Sequence, residues 1–166
     1  KNVTELNMSH NRLFELPENF SQLKKLKTLD LSFNKFEYFP LELTEMGIEN
    51  LNMSNNSLLL LQSDISQMSN LMHLDVSNNN LMTLPDELTE LKKLKAIAID
   101  NNKFLQSEIG KITSILAPLM RTAQDKRGLV NVLRSTDNLG YTNTPQIKGP
   151  NTQSYEDFTD FADLTE

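Results

Sequence analysis

Apolar residues in the first two-thirds of the chain return on a fixed period. Val3, Leu26, Ile48, Leu71 and Leu94 open one pattern at intervals of 23, 22, 23 and 23 residues. In each unit aliphatic residues follow at the fourth and sixth places, an Asn at the ninth and a large apolar residue at the eleventh. The first unit has Leu6, Met8, Asn11 and Leu13, the second Leu29, Leu31, Asn34 and Phe36, the third Leu51, Met53, Asn56 and Leu58. Leu74, Val76, Asn79 and Leu81 continue the series, and Ile97, Ile99, Asn102 and Phe104 end it. Alternation at the fourth and sixth places predicts one short strand per unit, with one face buried. A lone strand can neither pair nor bury itself, so the units must stack into a parallel sheet. The Asn column falls where the chain leaves each strand. An amide there can satisfy backbone groups of its own and the neighbouring unit, which predicts a structural ladder.

This pattern resembles the leucine-rich repeat, L-x-x-L-x-L-x-x-N-x-L, over about residues 3–105. Units one, two and four continue with Leu16-Pro17, Phe39-Pro40 and Leu84-Pro85 and then further apolar residues, which is similar to the 23-residue class of Ras-pathway scaffolds, Scribble-like proteins and Roco kinases. The resemblance implies an α/β solenoid, a horseshoe fragment with short parallel strands on its concave face. Unit three has Gln62 in place of the Pro, so its convex turn is expected to differ.

The period collapses after Phe104. Ser107-Glu108 followed by Ile109, Ile112, Ile115 and Leu116 predicts an amphipathic helix with an N-terminal side-chain cap. Pro118 opens a further turn, and Leu129, Val130, Val132 and Leu133 after Gly128 have helical spacing. The organisation read from the sequence is thus five repeats over 1–105, a helical cap over 106–135 and a flexible acidic tail over 136–166. No cap precedes Val3, which predicts further repeats, a cap or a partner at that edge; the start at Lys1 rather than Met agrees with an upstream segment.

Composition narrows the function. The 166 residues carry 16 Lys and Arg against 22 Asp and Glu, a formal net charge of −6, which argues against tracking phosphates. Cysteine is absent, excluding disulfides and thiolate metal sites and favouring a cytoplasmic location. The longest apolar run, Leu58 to Leu61, is too short to insert in a membrane. Five N-glycosylation sequons, among them Asn2-Val3-Thr4 and Asn19-Phe20-Ser21, keep secretion as a minor alternative. No metal, cofactor or catalytic set is expected. His10 and His73 lie three units and different columns apart, and Ser9, Ser32, Ser54 and Ser77 share one repeated place without a neighbouring base.

What remains is a surface for a protein partner. The outward strand places and those just beyond supply Glu5, Asn7 and His10; Thr28, Asp30 and Phe33; Asn50, Asn52 and Asn55; His73, Asp75 and Asn78; and Asp100 and Asn101. Phe33 stands out as an aromatic where other units place small polar groups, and can anchor a partner or pack on its neighbours. Asp30, Asp75 and Asp100 suit a basic partner. The expected role is an adaptor or scaffold; the alternative is a targeting module of a larger signalling enzyme, a Roco-type kinase or a ubiquitin ligase. In the tail, Tyr155, Phe158, Phe161 and Leu164 recur at every third place among acids. Such a segment can fold into a groove, or contact the basic cap around Lys126, Arg127 and Arg134 within the chain.

Overall fold

The structure, a computed structural model, describes residues 2–119. The expected second cap helix, the cap cations and the acidic tail lie outside the described residues.

Five three-residue strands form one open parallel sheet in sequence order: β1 (Glu5–Asn7), β2 (Thr28–Asp30), β3 (Asn50–Asn52), β4 (His73–Asp75) and β5 (Ala96–Ala98). Their register is regular: Leu6, Leu29, Leu51, Leu74 and Ile97 lie side by side, and so do Glu5, Thr28, Asn50, His73 and Ala96. Because strand side chains alternate, the leucine row points into the core and its neighbours point to the concave side. Leu29, Leu51, Leu74 and Ile97 are fully buried, as are Leu31, Met53, Val76 and Ile99 two residues on. Each such side chain contributes about 1.5–3 kcal/mol on removal from water.

The return path of units one to four is a single 3-10 turn, at Glu18–Gln22, Leu41–Glu45, Ser63–Gln67 and Asp86–Glu90, each burying one apolar residue: Phe20, Leu43, Ile65 and Leu88. Pro17, Pro40 and Pro85 precede three of these turns with φ between −74° and −68°, as the pyrrolidine ring dictates. Unit three corrects the expectation drawn from Gln62. Gln62 adopts φ −73° and ψ 159°, and Ile65 N–H donates to its carbonyl at 3.1 Å, the bond that Phe20 makes to Pro17 at 2.8 Å. The neighbouring units impose the turn, and proline only makes it easier.

In unit five the 3-10 turn Gln106–Glu108 runs on into α1 (Ile109–Leu116), which packs beside the turn Asp86–Glu90 of unit four and buries Ile109, Ile112, Ile115 and Leu116. The predicted side-chain cap at Ser107 is not made. Continuous 3-10 to α backbone leaves no turn for it, and Glu108 instead accepts a hydrogen bond from Thr83 Oγ1 at 2.7 Å, tying the helix to unit four. A turn at Ala117–Leu119 follows, as Pro118 suggests.

Candidate interaction face

The Asn column is the frame on which the concave face is built. Asn79 Nδ2 donates to the carbonyls of Met53 in the preceding unit and of Val76 and Ser77 in its own, while its Oδ1 accepts from Leu58 N–H at 2.9 Å. Asn34, Asn56 and Asn102 repeat this arrangement. Each amide thus holds two units in register. Asn11, in edge unit one, is exposed and donates only to Met8 and Ser9 of its own unit.

Immediately before each Asn sits a residue with left-handed backbone: His10, Phe33, Asn55, Asn78 and Asn101, with φ of 54–56°. In units one to four the N–H of this residue is bonded to the next unit, and Asn101 keeps the conformation without such a bond among the described residues. His10 N–H donates to Ser32 carbonyl and Phe33 N–H to Ser54 carbonyl, both at 3.0 Å; Asn55 and Asn78 bond to Ser77 and Asp100 in the same way. Asn tolerates the left-handed region, whereas a large aromatic there costs about 1–2 kcal/mol. Unit two carries that cost at Phe33 and gains a stack with His10: the two rings lie 4.3 Å apart at 9°. Phe33 remains 45% exposed, so it both packs on its neighbour and presents a face to solvent. Asn101 Nδ2 donates to Asn78 Oδ1 at 3.1 Å, continuing the same row as amides.

The strand rows differ in depth. Glu5 is exposed, and Thr28, Asn50 and His73 are half-buried and linked: Asn50 Nδ2 donates to Thr28 Oγ1, and Asn50 Oδ1 meets His73 Nδ1 at 2.7 Å. Asn7 is half-buried, its Oδ1 accepting from Ser9 N–H and Oγ. Asp30, Asn52 and Asp75, read from the sequence as projecting contacts, are buried instead. Each turns back onto its own chain, Asp30 Oδ1 accepting from Ser32 N–H, Asn52 Oδ1 from Ser54 N–H and Asp75 Oδ1 from both Ser77 N–H and Oγ. The serines read as repeat grammar are the partners of this row. Asp75 Oδ2 is buried without a hydrogen bond. Burial pushes the Asp75 carboxyl up to about 6, Ser77 opposes the shift, and Asp100 and Asp30 add to it. Burial also raises Asp100. The accessible acids are therefore Glu5 and the half-buried Asp100, at opposite ends of the sheet.

His10 and His73 stay apart in different rows, and Ser77 has a carboxylate but no imidazole beside it. Among the described residues no three His, Cys, Asp or Glu side chains converge, and no helix is long and apolar enough to cross a membrane.

Five stacked units with one parallel strand each, joined by a ladder of Asn side chains, define a repeat solenoid. The family model of the leucine-rich repeat matches residues 2–23, 25–46 and 70–91, and a leucine-rich-repeat protein of Leptospira interrogans superposes with a TM-score of 0.65 at 35% identity, over 71% of this chain and 30% of its own. The chain is a leucine-rich-repeat protein. It is also similar to an adenylate cyclase of Schizosaccharomyces pombe, 48% identical over 44 residues, and spans 26% of its own length but only 3% of the cyclase. The BIR2 ectodomain of Arabidopsis thaliana matches at 26% identity with a TM-score of 0.49, over 54% of this chain and 50% of its own.

Proposed function

We propose that this chain is a non-catalytic, cytoplasmic adaptor or scaffold that grips a protein partner across the accessible rows of the concave face, anchored at the His10–Phe33 stack. Domains of this family are commonly protein-interaction modules. The observation that carries the reading is the stack itself. A large aromatic held at a left-handed position that asparagine fills in three other units is backbone strain retained at a surface, and such strain marks functional positions. Two exposed rings also suit interface anchoring, because aromatic side chains give large contact area at low entropic cost. Glu5 and Asp100 favour basic groups on the partner at either end.

Phe33→Asn separates the two roles. Asparagine suits the backbone, so the variant is expected to be as stable as the parent or up to about 1 kcal/mol more stable in urea unfolding. Its capture of the partner retained from lysate by the parent should fall at least tenfold. Undiminished capture by the folded variant removes the concave anchor from the reading.

A second reading, a targeting module of a larger signalling enzyme such as a Roco-type kinase or a ubiquitin ligase, draws on the short match to a protein named adenylate cyclase. The concave surface would serve there as well, and a gene encoding only these repeats, cap and tail would remove that reading.

A further inference from the structure

The apolar exposure of this protein is concentrated on one flank. Beyond each Asn the chain runs extended, with the tenth place out, the eleventh in the core and the twelfth out again. Phe36, Leu58, Leu81 and Phe104 are the buried members. Backbone bonds stack these segments unit on unit: Lys35 N–H to Leu13 carbonyl at 2.7 Å, Ser57 to Phe36, Asn80 to Leu58 and Lys103 to Leu81 each at 2.9 Å, Leu59 to Glu37 at 3.1 Å and Leu105 to Met82 at 3.0 Å.

Two parallel columns result. The twelfth and thirteenth places carry Phe14 (67% exposed), Tyr38 (60%), Leu59 (39%), Leu60 (42%), Met82 (49%) and Leu105 (49%), six of the eight large exposed hydrophobics among the described residues. The tenth place carries exposed Arg12, Lys35 and Lys103, with Ser57 and Asn80 between. An apolar stripe edged with cations, interrupted by exposed Glu15 and Glu37 in units one and two, marks a binding surface.

The chain itself contains a segment with the complementary pattern. Residues 155–166 read as four triplets of apolar, variable and acidic residues: Tyr155-Glu156-Asp157, Phe158-Thr159-Asp160, Phe161-Ala162-Asp163 and Leu164-Thr165-Glu166. In an extended chain of three residues per turn, such triplets put all apolar groups on one edge and all acids on the next. Successive anchors then lie about 9.3 Å apart, against about 9.6 Å for two steps of a parallel sheet. Three anchors therefore meet the odd-numbered units, at Phe14, at Leu59 with Leu60, and at Leu105, and step over Glu37 in unit two. The acidic edge falls along the column of Arg12, Lys35 and Lys103.

We propose that residues 155–166 dock in cis along this flank, apolar edge on the Phe14–Leu105 stripe and acidic edge on the basic column. The 35 residues from 120 to 154 can span up to about 115 Å, ample for a flank about 19 Å long. A tether of that length holds the segment at an effective concentration of the order of millimolar, so even weak docking is populated. The surface is distinct from the concave face, which stays open to a partner.

The absence of cysteine allows a direct test in the full chain. Ser154→Cys carrying a nitroxide label is prepared with methyl-labelled Leu and Met. The expected result is at least a twofold intensity loss for the Leu59, Leu60, Met82 and Leu105 methyls, unchanged on dilution and reversed by Phe158→Ser with Phe161→Ser. Leu59→Lys with Met82→Lys on the flank should equally release the segment, and raising salt from about 0.05 M to about 0.5 M should weaken the effect without erasing it. Flank methyls unaffected by the label overturn the proposal. So does broadening centred on the concave rows or the cap, and so does broadening that passes from labelled chains to methyl-labelled chains in a mixed sample, which places the contact between copies.

Discussion

At the scale of single residues, one side chain type serves different ends according to its neighbours. Asn79 joins two units through a buried amide, whereas Asn11 bonds within its own unit in the open. Asn79→Ala leaves buried Leu58 N–H without its acceptor, while the carbonyls of Met53, Val76 and Ser77 keep Asn56, Asn102 and Asn55 as donors, so a loss of about 1–3 kcal/mol in urea unfolding is expected. Asn11→Ala should cost less than about 1 kcal/mol; equal losses would contradict the ladder.

Asp75 gives the protein a pH-dependent stability whose sign is opposite to that of a salt-bridged acid. Its folded pKa lies at about 6, above the ordinary 3.8, so the folded state holds the proton more tightly. The favourable contribution is complete below about pH 4 and is lost as pH rises through about 6, by about 3 kcal/mol at 1.36 kcal/mol per pH unit. Asp30 and Asp100 are the acids facing it. Asp75→Asn, which places at this register the residue found at Asn52, should flatten the fall in thermal midpoint between pH 4 and 6. A variant with the same slope as the parent would move the origin of that slope elsewhere.

At the scale of elements, β1 and β5 are the two edges of the sheet, and α1 is the return path of unit five, set beside the turn Asp86–Glu90 of unit four. α1 buries four apolar residues and packs beside the turn Asp86–Glu90, and Thr83 and Glu108 fasten unit five to unit four. Ile112 is fully buried, so Ile112→Ala should cost about 2–5 kcal/mol in chemical unfolding, more than any exposed substitution on α1 such as Lys111→Ala. A loss below about 1 kcal/mol would mean that α1 does not seal the core. The 3-10 turns show the converse case, since Gln62 stands in for proline and the turn persists because the adjacent units hold it. Proline and asparagine therefore mark this repeat for different reasons: proline lowers the entropy of a turn that forms without it, and asparagine supplies bonds that nothing else can make.

For the whole molecule, stability in a solenoid is a sum of unit and interface terms. Unit one has its Leu6, Met8 and Leu13 only partly buried, while Leu51 and Met53 of unit three are fully buried. Backbone amides of β1 should therefore exchange with solvent fastest and those of β3 slowest in native-state hydrogen exchange; uniform protection would show that the array opens only as one unit. The same one-dimensional stacking lays three surfaces side by side along the array: the polar concave rows, the apolar flank and the convex turns with Glu18, Glu42, Glu45 and Asp64 around a shallow groove. Stacking turns a single recurring position into a column, and a column into a surface.

The repeat period, the five strands, their parallel pairing and the Asn ladder were all legible in the sequence, because each depends on spacing within one unit multiplied by regular stacking. Depth was not legible. Alternation places Asp30 and Asp75 on the concave side, but only the side chains of adjacent units, more than twenty residues away, decide that they are buried while Thr28 and His73 stay half open. The same holds for the stack of His10 on Phe33, the turn at Gln62, the missing cap at Ser107 and the exposure of Phe14, Leu59 and Met82. Spacing along the chain determines what repeats; contact between units determines which repeated positions remain in water.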